Sequence, residues 1–463
     1  MLDSLRRHLS FYLLATAAAC ALRLLFILRF PHFDGDAITY GNLAVNLLTR
    51  HAFGFNLGGG AFVYTYVRLP GYPLFLAGVF SIFGQEHYTA VRLVQMFIEL
   101  GTAWVLAATA GRLVSEKAAR AAFLLTALCP FLANYVAAPM TETLEIFFTA
   151  VAFYCAVRGR DDLGSNGRLR WWAGCGAAIA GAILLRPDGG MLVMVIGGYL
   201  LLRFLFRRER RPALVAGIVL GLVAFAPLVP WTVRNWRVFH EFMPLAPRYA
   251  NQPGEYVALG FTRWVKTWMA EYVSVEDFYW AEEGQADAAT LPARAFDSPE
   301  EYRRTEELIE AYNQAGWDVS PQLDAQFEQL AEQRIRRHPL RYYLWLPALR
   351  SADMWLRPRT EILPLDTYWW KADRHDMLID IGLGLINLFY LLAAVAGAGQ
   401  RKVKYAGLLL AFILLRSLFL GTMENPEPRY TLECYPVVIV FAAAALAGAE
   451  TRRRERPALA RAA

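Results

Sequence analysis

Charge is what this 463-residue chain has least of. Asp, Glu, Lys and Arg together supply 19% of it, where a soluble globular domain carries about a quarter. A water-soluble enzyme of this length is therefore disfavoured. Cysteine is scarce as well. The five present, Cys20, Cys129, Cys155, Cys175 and Cys434, lie in or at the ends of apolar runs and show no metal spacing, so they read as small packing residues. His32, His51, His240 and His375 make no tight ligand spacing either. There is no internal repeat, and no low-complexity segment beyond an Arg/Ala tail.

The bulk of the chain is apolar: 56% hydrophobic residues and 14% aromatic ones. Stretches near the roughly 20 residues that cross a bilayer recur at 9–28, 88–110, 117–135, 141–158, 171–186, 188–206, 212–231, 378–398, 404–421 and 432–449. The pattern predicts an all-α polytopic membrane protein of about ten spans. Arg186, Pro187 and Asp188 punctuate the apolar run from 171 to 206. The first span keeps charged flanks and lacks a small-residue cleavage site, so it reads as a retained helix.

Orientation follows from the basic residues of the short loops. Arg6 and Arg7 precede the first span. Arg112, Lys117 and Arg120 flank the loop after the second, and Arg158, Arg160, Arg168 and Arg170 follow the fourth. Arg207, Arg208, Arg210 and Arg211 follow the sixth, Arg401, Lys402 and Lys404 the eighth, and Arg452, Arg453, Arg454 and Arg456 the tenth. Every second connection is basic, which places both termini in the cytoplasm. The net charge of +6 is mostly this topology signal and does not indicate nucleic-acid binding.

The opposite, periplasmic face carries two large features. One is the first outer loop, 29–87. Within it, 37–48 has Leu43 and Leu47 at helical spacing with Asp36 placed as a possible N-cap, and 71–84 is apolar but too short to span. The other is a polar region, 232–377, expected to be a small, mostly helical periplasmic domain. It holds a charged helical stretch from Glu300 to Arg337 and then an aromatic, amphipathic segment, 338–359, suited to a membrane surface. The resulting organisation is a transmembrane core over 1–231, the outer domain 232–377, C-terminal spans over 378–450 and a basic cytoplasmic tail, 451–463.

Ionisable groups gather where spans meet that outer face. Arg23, Arg29, Asp34 and Asp36 stand near the end of the first span, Arg92 and Glu99 in the second, and Glu142 and Glu145 on one face of the fourth. Arg186 and Asp188 lie between the fifth and sixth, Arg234 after the seventh, and Arg416, Glu424, Glu427 and Arg429 around the ninth and tenth. Intramembrane charges are expensive and are kept mainly for binding or chemistry. A cavity at the outer boundary that admits a lipid-borne anion and a water-borne partner is the expected use.

Six segments carry a resemblance: FDGDAITYGNLAVNLL (33–48), RLPGYPLFLA (68–77), PMTETLEIFF (139–148), LLRPDG (184–189), PWTVRNWRVF (230–239) and PEPRYTLECYP (426–436). In this order they resemble the polyprenyl-phosphate-sugar-dependent glycosyltransferases of the GT-C membrane class, which includes the protein O-mannosyltransferases and the aminoarabinose transferase of lipid A. The bacterial members are the nearer match. Eukaryotic mannosyltransferases have adjacent acidic residues in the first loop, whereas here a glycine separates Asp34 from Asp36. Asp36 is favoured as the equivalent residue by its place four residues before Tyr40.

The resemblance implies an inverting transfer of a sugar from a polyprenyl phosphate, undecaprenyl phosphate in bacteria, to a hydroxyl of a lipid, glycan or protein acceptor at the periplasmic face of the inner membrane. Asp36, or Asp34 in its place, would act as base. Arg68, Arg234 and Arg429 would hold the donor phosphate. Tyr40, Tyr72, Glu142, Arg186 and Glu427 would shape the sugar and acceptor pocket. A divalent cation is compatible with the class, but no residue pattern demands one. Each residue also has a plainer role: Asp36 or Glu142 as a helix cap, Asp34 as a solvated loop residue, Arg68 and Arg429 as snorkelling anchors, and Arg234 in an aromatic belt with Trp231 and Trp236. The competing functions are a transporter or flippase, disfavoured by the missing repeats, a non-catalytic assembly subunit, and an enzyme using a lipid-diphosphate donor.

Overall fold

The computed structural model describes residues 7–56, 60–161, 169–206, 209–282, 284–316, 319–400 and 403–459. Of the basic loop residues, Arg6, Arg168, Arg207, Arg208, Arg401 and Lys402 lie outside the described residues, as do the side chains of the basic tail. The chain is mostly helical, with one two-stranded antiparallel sheet, β1 (Gly54–Asn56) on β2 (Phe62–Tyr64), among the described residues.

Among the described residues, five helical segments are long and apolar enough to cross a membrane: Leu9–Arg29, Tyr88–Leu113, Pro187–Phe206, Arg374–Ala398 and Pro428–Gly448. A sixth arises if Arg210–Phe225 and Leu228–Phe239, bent by 40° at the Ala226–Pro227 break, count as one span. The other stretches expected to span form helices that are interrupted, charged or short, for reasons written in their residues. Pro130 divides the third into Glu116–Ala127 and Pro130–Tyr135. Glu142, Glu145, Arg158, Arg160 and Asp161 charge both ends of Glu142–Asp161. Leu169–Leu185 and Ala406–Leu420 are apolar but short.

The chain divides into two compact units. The first comprises 1–253, 388–413 and 432–463, and the second 254–387 and 414–431. In the first unit, α1 (Leu9–Arg29) packs against α4 (Tyr88–Leu113) and α5 (Glu116–Ala127). Between them in sequence lie α2 (Gly35–Arg50) and α3 (Gly71–Phe83). Helix α3, at 13 residues and about 1.5 Å rise per residue, is too short to span. It buries Tyr72, Leu76 and Phe80 with Tyr40, Leu144 and Leu185 while leaving Ile82 and Phe83 exposed. The core is completed by α6 (Pro130–Tyr135), α7 (Glu142–Asp161) and α8 (Leu169–Leu185), which packs on α7.

Breaking α5 from α6 inside the bundle frees carbonyls that a membrane cannot hydrate. Arg23, fully buried on α1, meets this need. Its guanidinium donates to the Thr126 carbonyl at 3.0 Å and to Ala127 O, and its Nε lies 2.5 Å from Glu99 Oε2. The charge is thus neutralised by a carboxylate with only 2% of its side chain exposed.

In the second unit, the charged helical stretch from Glu300 to Arg337 forms two helices, Pro299–Ala315 and Pro321–Arg337. Gly316, at φ +62°, ends the first, and Ser320 caps the second ahead of Pro321. Their apolar faces close on Trp264, Trp268 and Phe278. The aromatic segment has two faces. Leu340, Tyr343, Leu344 and Trp345 are exposed, while Leu346, Arg350 and Met354 of the helix Leu346–Leu356 turn inward. Buried Arg350 donates to Met269 O at 2.9 Å and Gly421 O at 3.1 Å.

Two ionisable groups, Arg23 and Asp353, have measurable consequences. Arg23→Ala is expected to cost about 3–5 kcal/mol, because Glu99 is then buried without its partner; the double change Arg23→Leu with Glu99→Leu should recover much of it, read as melting temperature in detergent. In the second unit, burial pushes the Asp353 carboxyl, which accepts from Tyr272 N at 2.9 Å, up to about 6 from an ordinary 3.8. The folded state therefore binds that proton more tightly than the unfolded one. Its contribution to stability is full below the ordinary value and is lost as pH rises through the folded one. Asp353→Asn should remove this part of the pH slope between about pH 4 and 6, measured by thermal denaturation across that range.

Candidate active site

The segment between α1 and α4 sets the geometry. Asp34 has extended backbone and its Oδ1 accepts from Ala37 N at 3.1 Å, so Asp34, and not Asp36, is the N-cap of α2. Its other oxygen, Oδ2, stands 3.2 Å from His32 Nε2. The expectation of Asp36 as cap is corrected: a capping side chain must precede the first helical residue, and Asp36 lies within the first turn. There its carboxylate faces Arg68, whose Nη2 is 3.2 Å from Asp36 Oδ1, with both side chains about a quarter to a third exposed.

The start of α3 fixes where Arg68 stands. Gly71 opens that helix against the end of α8, where an added Cβ would stand 2.5 Å from the Leu184 carbonyl. Only glycine permits that approach, and it draws the Arg68 segment toward Arg186. Tyr40, one turn beyond Asp36 on α2, reports the result. Burial, then the charge of Asp36, lifts its hydroxyl above the usual tyrosine range; Arg68 and Arg186 pull the other way, and Glu142 adds to Asp36. One buried hydroxyl therefore senses four of the predicted site residues.

Tyr72 joins them, its ring centroid 5.1 Å from that of Tyr40. Its hydroxyl donates to Gln95 Oε1 at 2.7 Å, and Gln95 Nε2 donates to the carbonyls of Ala138 at 2.8 Å and Val136 at 3.2 Å. Arg92 Nε takes the Ala137 carbonyl between them at 2.8 Å. The non-helical stretch before α7 is thereby fixed, and α7 starts with Glu142 and Glu145 both buried. Arg186 Nε is 3.3 Å from Asp188 Oδ1 and 3.7 Å from Glu145 Oε1. Gln95 was missed in the sequence, although a lone amide within an apolar span was its visible signal.

The remaining predicted residues are placed otherwise. Arg234 donates to Phe53 O at 2.6 Å and to Thr65 O at 2.7 Å, inside rings of Phe53, Tyr64, Trp231 and Phe239. These bonds clamp both ends of the β1–β2 hairpin, so the expected phosphate ligand is engaged in holding the loop. In the second unit, Glu427 accepts from the Tyr430 hydroxyl and pairs with Arg429, whose guanidinium lies 5.5 Å from the Tyr430 ring. Among the described residues no three His, Cys, Asp or Glu side chains gather as ligands for a metal ion.

Residues 68–231 match the family model described as dolichyl-phosphate-mannose-protein mannosyltransferase. The matched stretch contains Arg68, Tyr72, Glu142 and Arg186; Asp36 precedes it. No curated protein matches the chain significantly by sequence. The fold is shared with the oligosaccharyltransferase of Archaeoglobus fulgidus tethered to an acceptor peptide, at TM-score 0.56 and 12% identity over 98% of this chain and 50% of that one. AglB from the same archaeon, in complex with an inhibitory peptide and a dolichol-phosphate, gives 0.55 and 11% over 98% and 52%. ArnT from Cupriavidus metallidurans bound to undecaprenyl phosphate gives 0.43 and 14% over 94% and 77%. The chain spans about half the length of the archaeal proteins it matches. The resemblance to the GT-C class drawn from the six motifs is borne out.

Because Asp34 caps α2 and Asp36 does not, their replacements should differ. Asp34→Ala is expected to cost about 1 kcal/mol of local stability, roughly a fivefold rise in amide exchange near the start of α2, while Asp34→Ser and Asp36→Asn leave it nearly unchanged. Hydrogen exchange read by mass spectrometry over 35–50 checks this.

Proposed function

We propose that the chain is an inverting glycosyltransferase that moves a sugar from a polyprenyl phosphate, undecaprenyl phosphate in a bacterial inner membrane, to a hydroxyl acceptor. The observation that carries this is the Asp36–Arg68 pair beside Tyr40, Tyr72, Glu142 and Arg186. The alternation of basic loops supports cytoplasmic termini and a periplasmic site.

In this reading the acceptor oxygen attacks the anomeric carbon, and the bond from that carbon to the phosphate oxygen breaks with inversion. The acceptor proton passes to Asp36. The bonding pair leaves with the phosphate, whose charge Arg68 receives. Arg68 meets Asp36 through Nη2 at 3.2 Å, and a guanidinium carries five N–H donors, so it can face the phosphate beside the carboxylate that takes the proton. Arg234 supports the loop that carries Arg68. Arg429 and Glu427 remain proposed ligands of donor or acceptor, and residues 232–377 a proposed selector of acceptor, since specificity is usually carried on loops over a rigid scaffold. The sugar is a hexose, pentose or uronic acid, and the acceptor a lipid, glycan or protein.

The test compares envelope lipids, glycans and proteins by mass spectrometry in wild type, a deletion strain and an Asp36→Asn strain with matched protein levels. One glycoform should vanish in the deletion and fall by about a hundredfold or more in Asp36→Asn, with its polyprenyl-phosphate sugar accumulating. A retained glycoform in Asp36→Asn overturns the base assignment. Unchanged glycoforms in the deletion overturn the transferase reading in favour of a transporter or assembly role.

A further inference from the structure

Glu145 has no part in the chemistry proposed for Asp36 and Arg68, yet its state is unusual. Its side chain is 3% exposed, and among the described residues neither carboxylate oxygen has a hydrogen-bond partner. Arg186 pairs with it by charge alone: its Nε is 3.7 Å from Oε1, beyond hydrogen-bond reach, and is closer to Asp188 at 3.3 Å. Burying carboxylate oxygens without hydrogen bonds is costly. Glu99, whose Oε2 accepts from Arg23, leaves one oxygen in that state; Glu145 leaves both.

The position of Glu145 suggests what it awaits. It lies one turn after Glu142 on α7, beside Arg186, and both Arg186 and Glu142 act on the Tyr40 hydroxyl that also senses Asp36 and Arg68. Glu145 thus borders the same space as the proposed base and phosphate ligand. Its two oxygens supply acceptors and no donors. A neutral group with two adjacent O–H donors completes such a carboxylate without adding charge.

Resting on the transferase reading, we infer that Glu145 is a specificity-determining residue that accepts hydrogen bonds from adjacent hydroxyls of the transferred sugar. The donor phosphate then sits at Arg68 and its sugar extends toward α7. Discrimination follows from desolvation: a sugar lacking those hydroxyls leaves Glu145 buried and unsatisfied.

The experiment measures binding to the full chain in lipid nanodiscs. The probes are undecaprenyl phosphate alone, the same lipid carrying mannose, glucose or arabinose, monodeoxy forms of the tightest binder, and one amino-sugar form. Wild type should hold one neutral sugar-bearing lipid more tightly than the bare lipid. Glu145→Gln and Glu145→Asp should weaken that probe by about ten- to a hundredfold, the size of hydrogen bonds to a charged group, and leave the bare lipid unchanged. The deoxy form that costs wild type most should cost Glu145→Gln little more. The inference is overturned if both variants lose the bare lipid equally, if neither loses the sugar-bearing one, if no neutral sugar improves on the bare lipid, or if only the amino sugar does. Failure of wild type to bind undecaprenyl phosphate at all, with Arg68→Gln indistinguishable from it, would instead sink the transferase reading.

Discussion

A helix that stops inside an apolar layer leaves carbonyls with nothing to accept from, and this constraint governs the first unit. The chain interrupts its helices repeatedly, after Ala127, before Glu142 and after Leu185. At the first break Arg23 reaches the carbonyls of Thr126 and Ala127; before Glu142, Arg92 and Gln95 take those of Val136, Ala137 and Ala138. Irregular backbone is tolerated at membrane depth only where protein groups replace water, and here long donors from neighbouring helices do so. Arginine suits the work because one planar group serves several acceptors.

The same interruptions build the candidate site. A continuous helix presents its side chains in a fixed spiral, whereas a broken one ends within the bundle and can open a new helix with acids in its first turn. Glu142 and Glu145 enter the interior that way, at the favourable end of the α7 dipole. The break after Leu185 sets Arg186 and Asp188 opposite them, and Gly71 lets α3 close on Leu184. Tyr72 ties the site to the break: its ring packs on Tyr40, and its hydroxyl holds Gln95, which fixes the non-helical stretch before α7.

Much of this was legible in the residues, because apolar length and charge at span ends follow from transfer free energies that depend little on context. Motif order named Tyr40, Asp36, Arg68, Glu142, Arg186 and Tyr72; in the fold Asp36, Arg68, Glu142 and Arg186 act on the Tyr40 hydroxyl, and Tyr72 packs on its ring. What was misread depended on geometry finer than composition. Asp34 and Asp36 differ by two residues, and only the actual start of α2 decides which one caps it. The stretch from Glu300 to Arg337 is helical as read, and Gly316 and Pro321 divide it into two helices. Arg234 carries the residue type of a phosphate ligand, and it also donates to two carbonyls of a distant hairpin. No pattern local to Arg234 announces that.

The Asp36–Arg68 pair has a physical use beyond neutralisation. A guanidinium carries five N–H donors, and the contact of Arg68 Nη2 with Asp36 Oδ1 at 3.2 Å engages one edge of it. A phosphate brought by a lipid offers Arg68 two oxygens in a geometry that matches its fork. In the proposed reaction the arriving anion therefore meets its cation beside the carboxylate that takes the acceptor proton. The partial exposure of both side chains leaves room for that approach, which a fully buried pair such as Arg23–Glu99 does not offer. Two ion pairs of like composition are thus suited to opposite ends, one to hold a helix break and the other to receive a ligand.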